Sequence, residues 1–330
     1  MLGETPGTNI QVIYDENTIP VVILPVRFTV VIADSFRDTC RQLLLQNPQK
    51  IIIDFSYTNF IDSCGIGALV TNLKTAKEKN IDFILKGVNS QVMAVFSLTG
   101  LNQVLTIENS NVYTADDQMN INRNLPMTHP SVRSWVKRII DIVGALVGLG
   151  VTSMVFIPVV IAIKLDSPGP IFFGQVRCGW MGKKFKIWKF RSMCANAEAL
   201  KQSIPNEAEG AIFKNEHDPR VTKVGNFLRR SSLDELPQFW NVLIGDMSLV
   251  GTRPPTPDEV ERYEVPQWQR LDVKPGMTGE WQVNGRSQIK NFADVIRLDL
   301  KYQENWSLWY DIKLILKTII VVFNKNSGAV

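Results

Sequence analysis

A chain of 330 residues, 45% hydrophobic and 21% charged, is long enough to bury two cores and too apolar to remain disordered. Its net charge of +4 is uneven: residues 1–130 carry 9 Lys and Arg against 12 Asp and Glu, residues 131–330 carry 27 against 20. An anionic partner (phosphate, anionic lipid or nucleic acid) is therefore expected on the second part. Cys40, Cys64, Cys178 and Cys194 lack the spacing of a zinc ribbon or redox pair. Two histidines, His129 and His217, argue against a His-rich metal site or a Ser–His–Asp triad.

From about Ile10 to Glu108, strand and helix signals alternate. Lys50–Phe55 (KIIIDF) and Asp82–Gly87 (DFILKG) read as buried strands. Residues 35–47 and 65–80 carry apolar residues three and four apart and read as helices. Such repetition predicts an α/β domain. Residues 109–133 are polar and aperiodic, a linker. The N-terminus lacks the layout of a secretory signal, so most of the chain is expected in a reducing cytoplasm.

Between Asp141 and Lys164 lie 22 residues without a charge, enough to cross a bilayer. Pro158 interrupts this helix, since it has no N–H and its ring meets the carbonyl four residues back. Both flanks are basic (Arg133, Lys137 and Arg138 before; Lys164, Arg177, Lys183 and Lys184 after), which places both ends in the cytoplasm. A re-entrant helix bending at Ile157–Pro158 satisfies both facts, with Thr152 and Ser153 as partners for freed carbonyls. Trp306–Phe323 is too charged to span; it suits either a helix at headgroup level or a C-terminal core helix.

Lys183–Met193 (KKFKIWKFRSM) alternates with period two, putting Lys189 and Arg191 on the face of Phe185 and Ile187. Those cations must meet an anion or solvent. Downstream, Arg229 and Arg230 precede Ser231-Ser232-Leu233-Asp234-Glu235. Ser232 and Glu235 have capping-box spacing, which read alone makes the carboxylates helix-start residues; a cap and a reaction centre are compatible, and the cap is then expected to position Asp234. The same carboxylates beside arginines can hold Mg²⁺, which takes a few oxygen ligands plus substrate phosphate, and an Asp there can attack phosphorus. Loops combining Gly with Arg253 and with Arg286 suit phosphate as well.

In family order, the stretches KRIIDIV, SPGPIFFGQVRCGWMGKKFKIWKFRSM, VTKVGNFLRRSSLDELPQFWNVLIGDMSLVGTRP and KPGMTGEWQVNGR, within about Val132–Phe323, resemble the bacterial sugar transferase family of polyprenyl-phosphate hexose-1-phosphate transferases. The resemblance implies a monotopic enzyme on the cytoplasmic face of the bacterial plasma membrane. It implies Asp234 as a nucleophile that accepts the phospho-sugar as an acyl phosphate. Glu235 is its partner, a Mg²⁺ ligand or base, and Arg229 a phosphate-binding residue. Lys189, Arg191, Arg253 and Arg286 are added as anion contacts. One departure is Ile157 where small members often carry Ser before the proline, which puts the geometry of the bend in question.

The stretches IIIDFSYTNFIDSCGIGALV and SLTGLNQVL resemble a STAS domain, the fold of anti-sigma-factor antagonists. Ser63 stands at that fold's phosphorylated position, where added charge can remodel a docking surface. The alternative is that Asp62 and Ser63 only cap the helix of an assembly module. Large members of the transferase family carry several membrane helices in this region, so the pairing is a departure.

The expected architecture is α/β throughout: a STAS-like domain over 1–112, a linker over 113–133, a re-entrant membrane helix over 134–166, and a mixed α/β catalytic domain over 167–330 with C-terminal interfacial helices. The expected activity is transfer of a hexose-1-phosphate from a nucleotide diphosphate sugar, UDP-linked, to a polyprenyl phosphate such as undecaprenyl phosphate. Mg²⁺ is the cofactor, exopolysaccharide or another surface glycan the product pathway. Membrane lipid is a partner, nucleic acid is not, and a second copy or protein partner would bind through the STAS domain. The rival is a membrane-anchored signalling or scaffold protein, which would have no use for the Asp, Glu and Arg series. A transporter would need more than one membrane segment.

Overall fold

The computed structural model describes residues 9–108, 128–200, 203–207, 215, 218–284, 289 and 291–323. They form two compact units. The first comprises residues up to Thr128 together with Met181–Lys183 and Tyr263–Asp272; the second comprises His129–Trp180, Lys184–Arg262 and the chain from Val273.

The first unit runs β1 (Gln11–Tyr14), β2 (Pro20–Ile23), β3 (Arg27–Phe28), α1 (Val30–Leu45), β4 (Lys50–Asp54), β5 (Phe60–Ile61), α2 (Ser63–Glu78), β6 (Asp82–Lys86), α3 (Ser90–Thr99) and β7 (Thr106–Glu108). The sheet order is β1-β2-β4-β6-β7, with β1 antiparallel to β2 and the other pairs parallel; β3 and β5 form a separate parallel pair. This is the alternation that the apolar runs predict. The central strand β4 buries Ile51, Ile52 and Ile53 in succession, as a strand covered on both faces must. Phe28, Phe36, Phe55 and Phe96 meet edge to face at 5.0–6.4 Å in the core.

At the start of α2 the Asp62 carboxylate accepts from the Gly65 and Val30 N–H groups, a cap that also ties α1 to α2. Ser63 is 0% exposed. Its N–H donates to Asp272 at 3.0 Å and its hydroxyl meets the Met181 sulfur at 3.6 Å. A Cβ on Gly67 would lie 2.5 Å from the Trp268 ring, so this turn of α2 needs a residue without a side chain. Burial and the neighbouring Asp62 push the Asp272 carboxyl up to about 7.

The second unit runs α4 (Trp135–Asp166), β8 (Phe172–Cys178), β9 (Lys184–Phe190), α5 (Lys223–Arg230), α6 (Gln238–Ile244), β10 (Ser248–Val250), β11 (Gly276–Thr278), α7 (Phe292–Glu304) and α8 (Leu308–Phe323). Strands β8 and β9 pair antiparallel from Phe172↔Phe190 to Cys178↔Lys184; β10 and β11 pair parallel. Gly251 and Gly276 serve that second pair: a Cβ on Gly276 would lie 2.1 Å from the Gly251 nitrogen. The glycines expected to admit phosphate instead admit backbone.

Helix α4 is continuous over 32 residues with Pro158 inside it, and is the one helix among the described residues long and apolar enough to cross a membrane. Met154, Ile157 and Leu165 are exposed. The hydroxyls of Thr152 and Ser153 bond the carbonyls of Gly148 and Leu149, not that of Met154, which Pro158 leaves without a donor. The basic residues at the start of α4 are also used differently from expectation. Lys137 is buried and pairs with Asp311 at 2.5 Å, while Arg138 donates to the Val242 and Leu243 carbonyls near the end of α6. Asp311 in addition accepts from Tyr302 and Trp306. Helix α8 combines both expected readings: Asp311 and Leu314 are buried, whereas Trp309, Leu316, Ile319 and Ile320 are exposed.

Candidate functional site

The second unit contains a cavity of about 620 Å³ whose wall includes Arg177, Lys189, Arg191, Arg229, Asp234, Glu235 and Arg253. Six of the sequence-predicted residues therefore converge on one volume. Arg286 lies outside the described residues; Ser63 belongs to the first unit and Pro158 to the middle of α4.

The carboxylates reach the cavity through a turn. Thr222 caps α5 by accepting from the Gly225 N–H, and α5 ends at Arg229 and Arg230, cations at the favourable end of a helix dipole. Ser232 then adopts left-handed geometry (φ 55°, ψ 16°), a single 3₁₀ turn follows over Leu233–Glu235, and α6 begins after Pro237. Leu233 and Leu236 pack on the cluster of Val159, Ile163, Phe190 and Leu228. With the leucines drawn inward, Asp234 and Glu235 between them turn to the cavity wall.

The capping-box expectation for Ser232 is thereby corrected. Its side chain makes no cap bond, because a left-handed residue does not present its hydroxyl to the next turn as an extended one does. Glu235 instead pairs with Lys189 at 2.9 Å. The capping box in this region lies at Thr256–Glu259, whose Glu259 also grips Arg253 through both oxygens, at 2.7 and 3.0 Å.

The other cations are positioned by strand and helix contacts. The Asn241 amide bonds both Lys186 O and Trp188 N, which fixes α6 against β9 and brings Lys189 to Glu235. Arg229 donates to the Ser192 hydroxyl at 3.0 Å; burial lowers its pKa from the usual value while nearby Asp234 opposes that shift. Arg191 turns its terminal nitrogens to the Ser167 and Pro168 carbonyls and the Ser167 hydroxyl, so it ties down the end of α4. Sequence reading missed Arg177 as a site residue. Its guanidinium lines the cavity, held by Gln175 Oε1 at 2.7 and 3.1 Å and by the Pro254 carbonyl at 2.9 Å. Burial and neighbouring Arg253 bring its pKa down to about 10.

Among the described residues no three or more His, Cys, Asp or Glu converge on a metal-sized site. Asp234 and Glu235 supply two carboxylates, which suits an ion that takes its remaining ligands from water and substrate phosphate and does not suit a closed protein cage.

Comparison with known proteins agrees with both halves of the chain. Residues 132–325 match the model described as bacterial sugar transferase, and residues 13–113 match that of the STAS domain. The galactosyl transferase CpsE of Streptococcus agalactiae is 51% identical over 188 residues, 56% of this chain and 42% of the relative. The UDP-glucose:undecaprenyl-phosphate glucose-1-phosphate transferase of Escherichia coli K12 is 43% identical, covering 58% of this chain and 41% of the relative. The exopolysaccharide production protein ExoY of Rhizobium meliloti is 38% identical, covering 58% of this chain and 87% of the relative. The chain thus spans less than half the length of the first two. Among solved structures, an anti-sigma factor antagonist from Thermotoga maritima matches at 26% identity, over 34% of this chain and 94% of that one, with a TM-score of 0.27. The transferase match takes in more than half of the chain, which therefore belongs to the bacterial sugar transferase family, its transferase region preceded by a STAS domain.

Proposed function

We propose that the protein transfers a hexose-1-phosphate from a nucleotide diphosphate sugar, UDP-linked, to a polyprenyl phosphate such as undecaprenyl phosphate, releasing the nucleoside monophosphate and starting a surface glycan. The observation that carries this reading is the pair Asp234 and Glu235 on the wall of a cavity that also gathers Lys189, Arg177, Arg191, Arg229 and Arg253. The names of the Escherichia coli and Rhizobium relatives point to the same reaction and to exopolysaccharide.

An Asp234 oxygen attacks the phosphorus that bears the sugar. The bond from that phosphorus to the bridging oxygen breaks, and the electron pair leaves with the nucleoside monophosphate. An oxygen of the polyprenyl phosphate then attacks the same phosphorus; the aspartyl oxygen leaves and the carboxylate is restored. Nucleophiles enter and leave as oxyanions, so neither displacement needs a proton. Arg229 opposes the charge that builds between Asp234 and the phosphate. Lys189 keeps Glu235 turned to the cavity. Asp234 and Glu235 would hold Mg²⁺, which supplies neutralisation of the diphosphate.

The protein is placed at the cytoplasmic face of the plasma membrane, anchored monotopically by α4 with a bend at Pro158. The STAS domain is assigned to assembly with a second copy or a protein partner. Ser63 serves as a phosphorylation site only in a state in which Met181 and Asp272 have moved off it.

The test uses purified protein in nanodiscs with undecaprenyl phosphate, Mg²⁺ and a panel of UDP-sugars, reading UMP release for the parent and Asp234→Asn. Lipid-dependent release that disappears in the variant is expected; equal turnover in the two proteins refutes the reading.

A further inference from the structure

Strand β8 carries a gradient along its cavity side. Alternation puts Phe173, Gln175 and Arg177 on one face, and all three line the cavity. Phe173 is directly opposite Lys189 in the β8–β9 pairing, so its face is the one that looks toward the carboxylate turn. At the N-terminal end the strand is apolar and open: Phe172 and Phe173 are 40% and 43% exposed. By the same alternation Phe172 turns to the other face of β8, where it stacks on Phe156 of α4 with ring centres 6.0 Å apart, while both rings border the cavity. The open end of the strand thus bridges the cavity rim and the apolar helix, whose next turns expose Ile157 and Ile161. Four residues further, roughly 13 Å along a strand, stands Arg177.

Among the described residues Arg177 forms no ion pair. Its hydrogen-bond partners are the neutral Gln175 amide and a backbone carbonyl; its neighbour Arg253 is a like charge already bound to Glu259, and the carboxylates of Glu259 and Glu235 act on Arg177 only through space. A half-buried cation fixed in this way is ready to receive a phosphate oxygen without first breaking an ion pair. An aromatic ramp leading from a lipid-compatible helix to such a cation matches one ligand class, a long-chain isoprenoid phosphate. A nucleotide can stack its base on one exposed ring but makes no use of an apolar surface that runs on into a lipid-compatible helix.

Building on the reaction proposed above, we infer that β8 is the entry site of the lipid acceptor: the isoprenoid chain lies on Phe172 and Phe173 beside Phe156, and its phosphate is bound by Arg177. Gln175 is a positioning residue that orients the Arg177 fork. Nucleotide sugar then enters from the remainder of the cavity and does not need the aromatic rim.

The test separates the two displacements. Exchange of labelled UMP into UDP-sugar, without lipid, reports the donor side alone; transfer to undecaprenyl phosphate reports both. For Phe173→Ser and Arg177→Gln in the full chain, the KM for undecaprenyl phosphate should rise by about tenfold or more, as expected when an apolar contact or a charge-assisted hydrogen bond is lost. The lipid-free exchange rate of Phe173→Ser should stay within about twofold, which also certifies that this variant is folded, and in Arg177→Gln the KM for UDP-sugar in exchange should change several-fold less than the lipid KM. Phe173→Leu should recover most of the lipid KM. If the lipid KM of Phe173→Ser is unchanged while exchange proceeds, the entry site is wrong. If Arg177→Gln abolishes exchange, Arg177 serves the nucleotide diphosphate and its assignment to the lipid is overturned. If the parent shows transfer but no exchange, the covalent mechanism fails, and the lipid KM of Phe173→Ser still decides the entry site.

Discussion

Two loops of this chain are built from the same residue types and end in opposite roles. Asp62–Gly65 in the first unit and Ser231–Glu235 in the second each place serine and acid at the start of a helical turn. In the first, Asp62 is extended and spends both oxygens on backbone N–H groups, and Ser63 is sealed beneath Asp272 and Met181. In the second, Ser232 is left-handed, caps nothing, and the leucines on either side of Asp234 and Glu235 take the inward positions. In the first loop the extended Asp62 is itself the cap; in the second the left-handed Ser232 makes no cap, and the carboxylates line the cavity.

The comparison breaks most visibly at Asp234. Asp234→Asn should reduce turnover on the order of a thousandfold or more, the scale of removing a nucleophile, with little change in thermal stability; a simple loss of folding would make Asp234 structural, like Asp62. The second unit also has its own fully committed carboxylate, Asp311, held by Lys137, Tyr302 and Trp306. Lys137→Met should lower stability by about 3–5 kcal/mol, because Asp311 is left buried without its cation. Denaturant unfolding in detergent measures it, and Lys137→Met with Asp311→Leu should recover part of the loss.

Next in size is a pH effect confined to the first unit. Below about pH 4 the Asp272 carboxyl is protonated both folded and unfolded. Between there and about 7 only the unfolded chain releases the proton, since burial and Asp62 hold the folded group near 7. Stability of this unit should therefore fall as pH rises through that window and level off above it. Asp272→Asn should flatten the fall, as seen in melting curves across pH 4–8. The smallest effects compare the two serine–acid loops directly. Asp62→Ala should cost about 1 kcal/mol for the lost cap, whereas Ser232→Gly, at φ 55°, should stay within about 0.5 kcal/mol because no cap is lost and glycine tolerates that conformation.

Much of the fold was legible because it follows from periodicity. A short run such as Ile51–Ile53 between turn signals suits a strand with both faces covered, and the uncharged stretch after Asp141 suits an apolar helix, although its expected break at Pro158 is a continuous helix in the structure. The site was legible in part as residue types: Asp234, Glu235 and four of the cations that line the cavity were picked out, whereas Glu198, Asp258 and Glu259 were not. The local geometry was not legible. Ser232–Glu235 and Thr256–Glu259 both fit S/T-x-x-E, and the packing of Leu233 and Leu236, set by distant residues on α4, α5 and β9, denies the first its box. Gly251 and Gly276 read as phosphate loops because spacing cannot distinguish a ligand from a neighbouring strand. Lys137 and Arg138 read as membrane flanks, since nothing nearby in sequence announces Asp311 or the carbonyls of α6. Arg177, Arg220 and Arg262 were missed among the cavity's cations, yet for Arg177 the alternation of Phe173, Gln175 and Arg177 was there to be read.

The most direct test of the central claim is intact-protein and peptide mass spectrometry after incubation with the donor UDP-sugar and Mg²⁺ in the absence of lipid. The account predicts a sugar-phosphate adduct on the peptide containing Asp234, discharged by undecaprenyl phosphate and absent from Asp234→Asn. Lipid product formed at the full rate by Asp234→Asn, or an adduct on another residue, would contradict it.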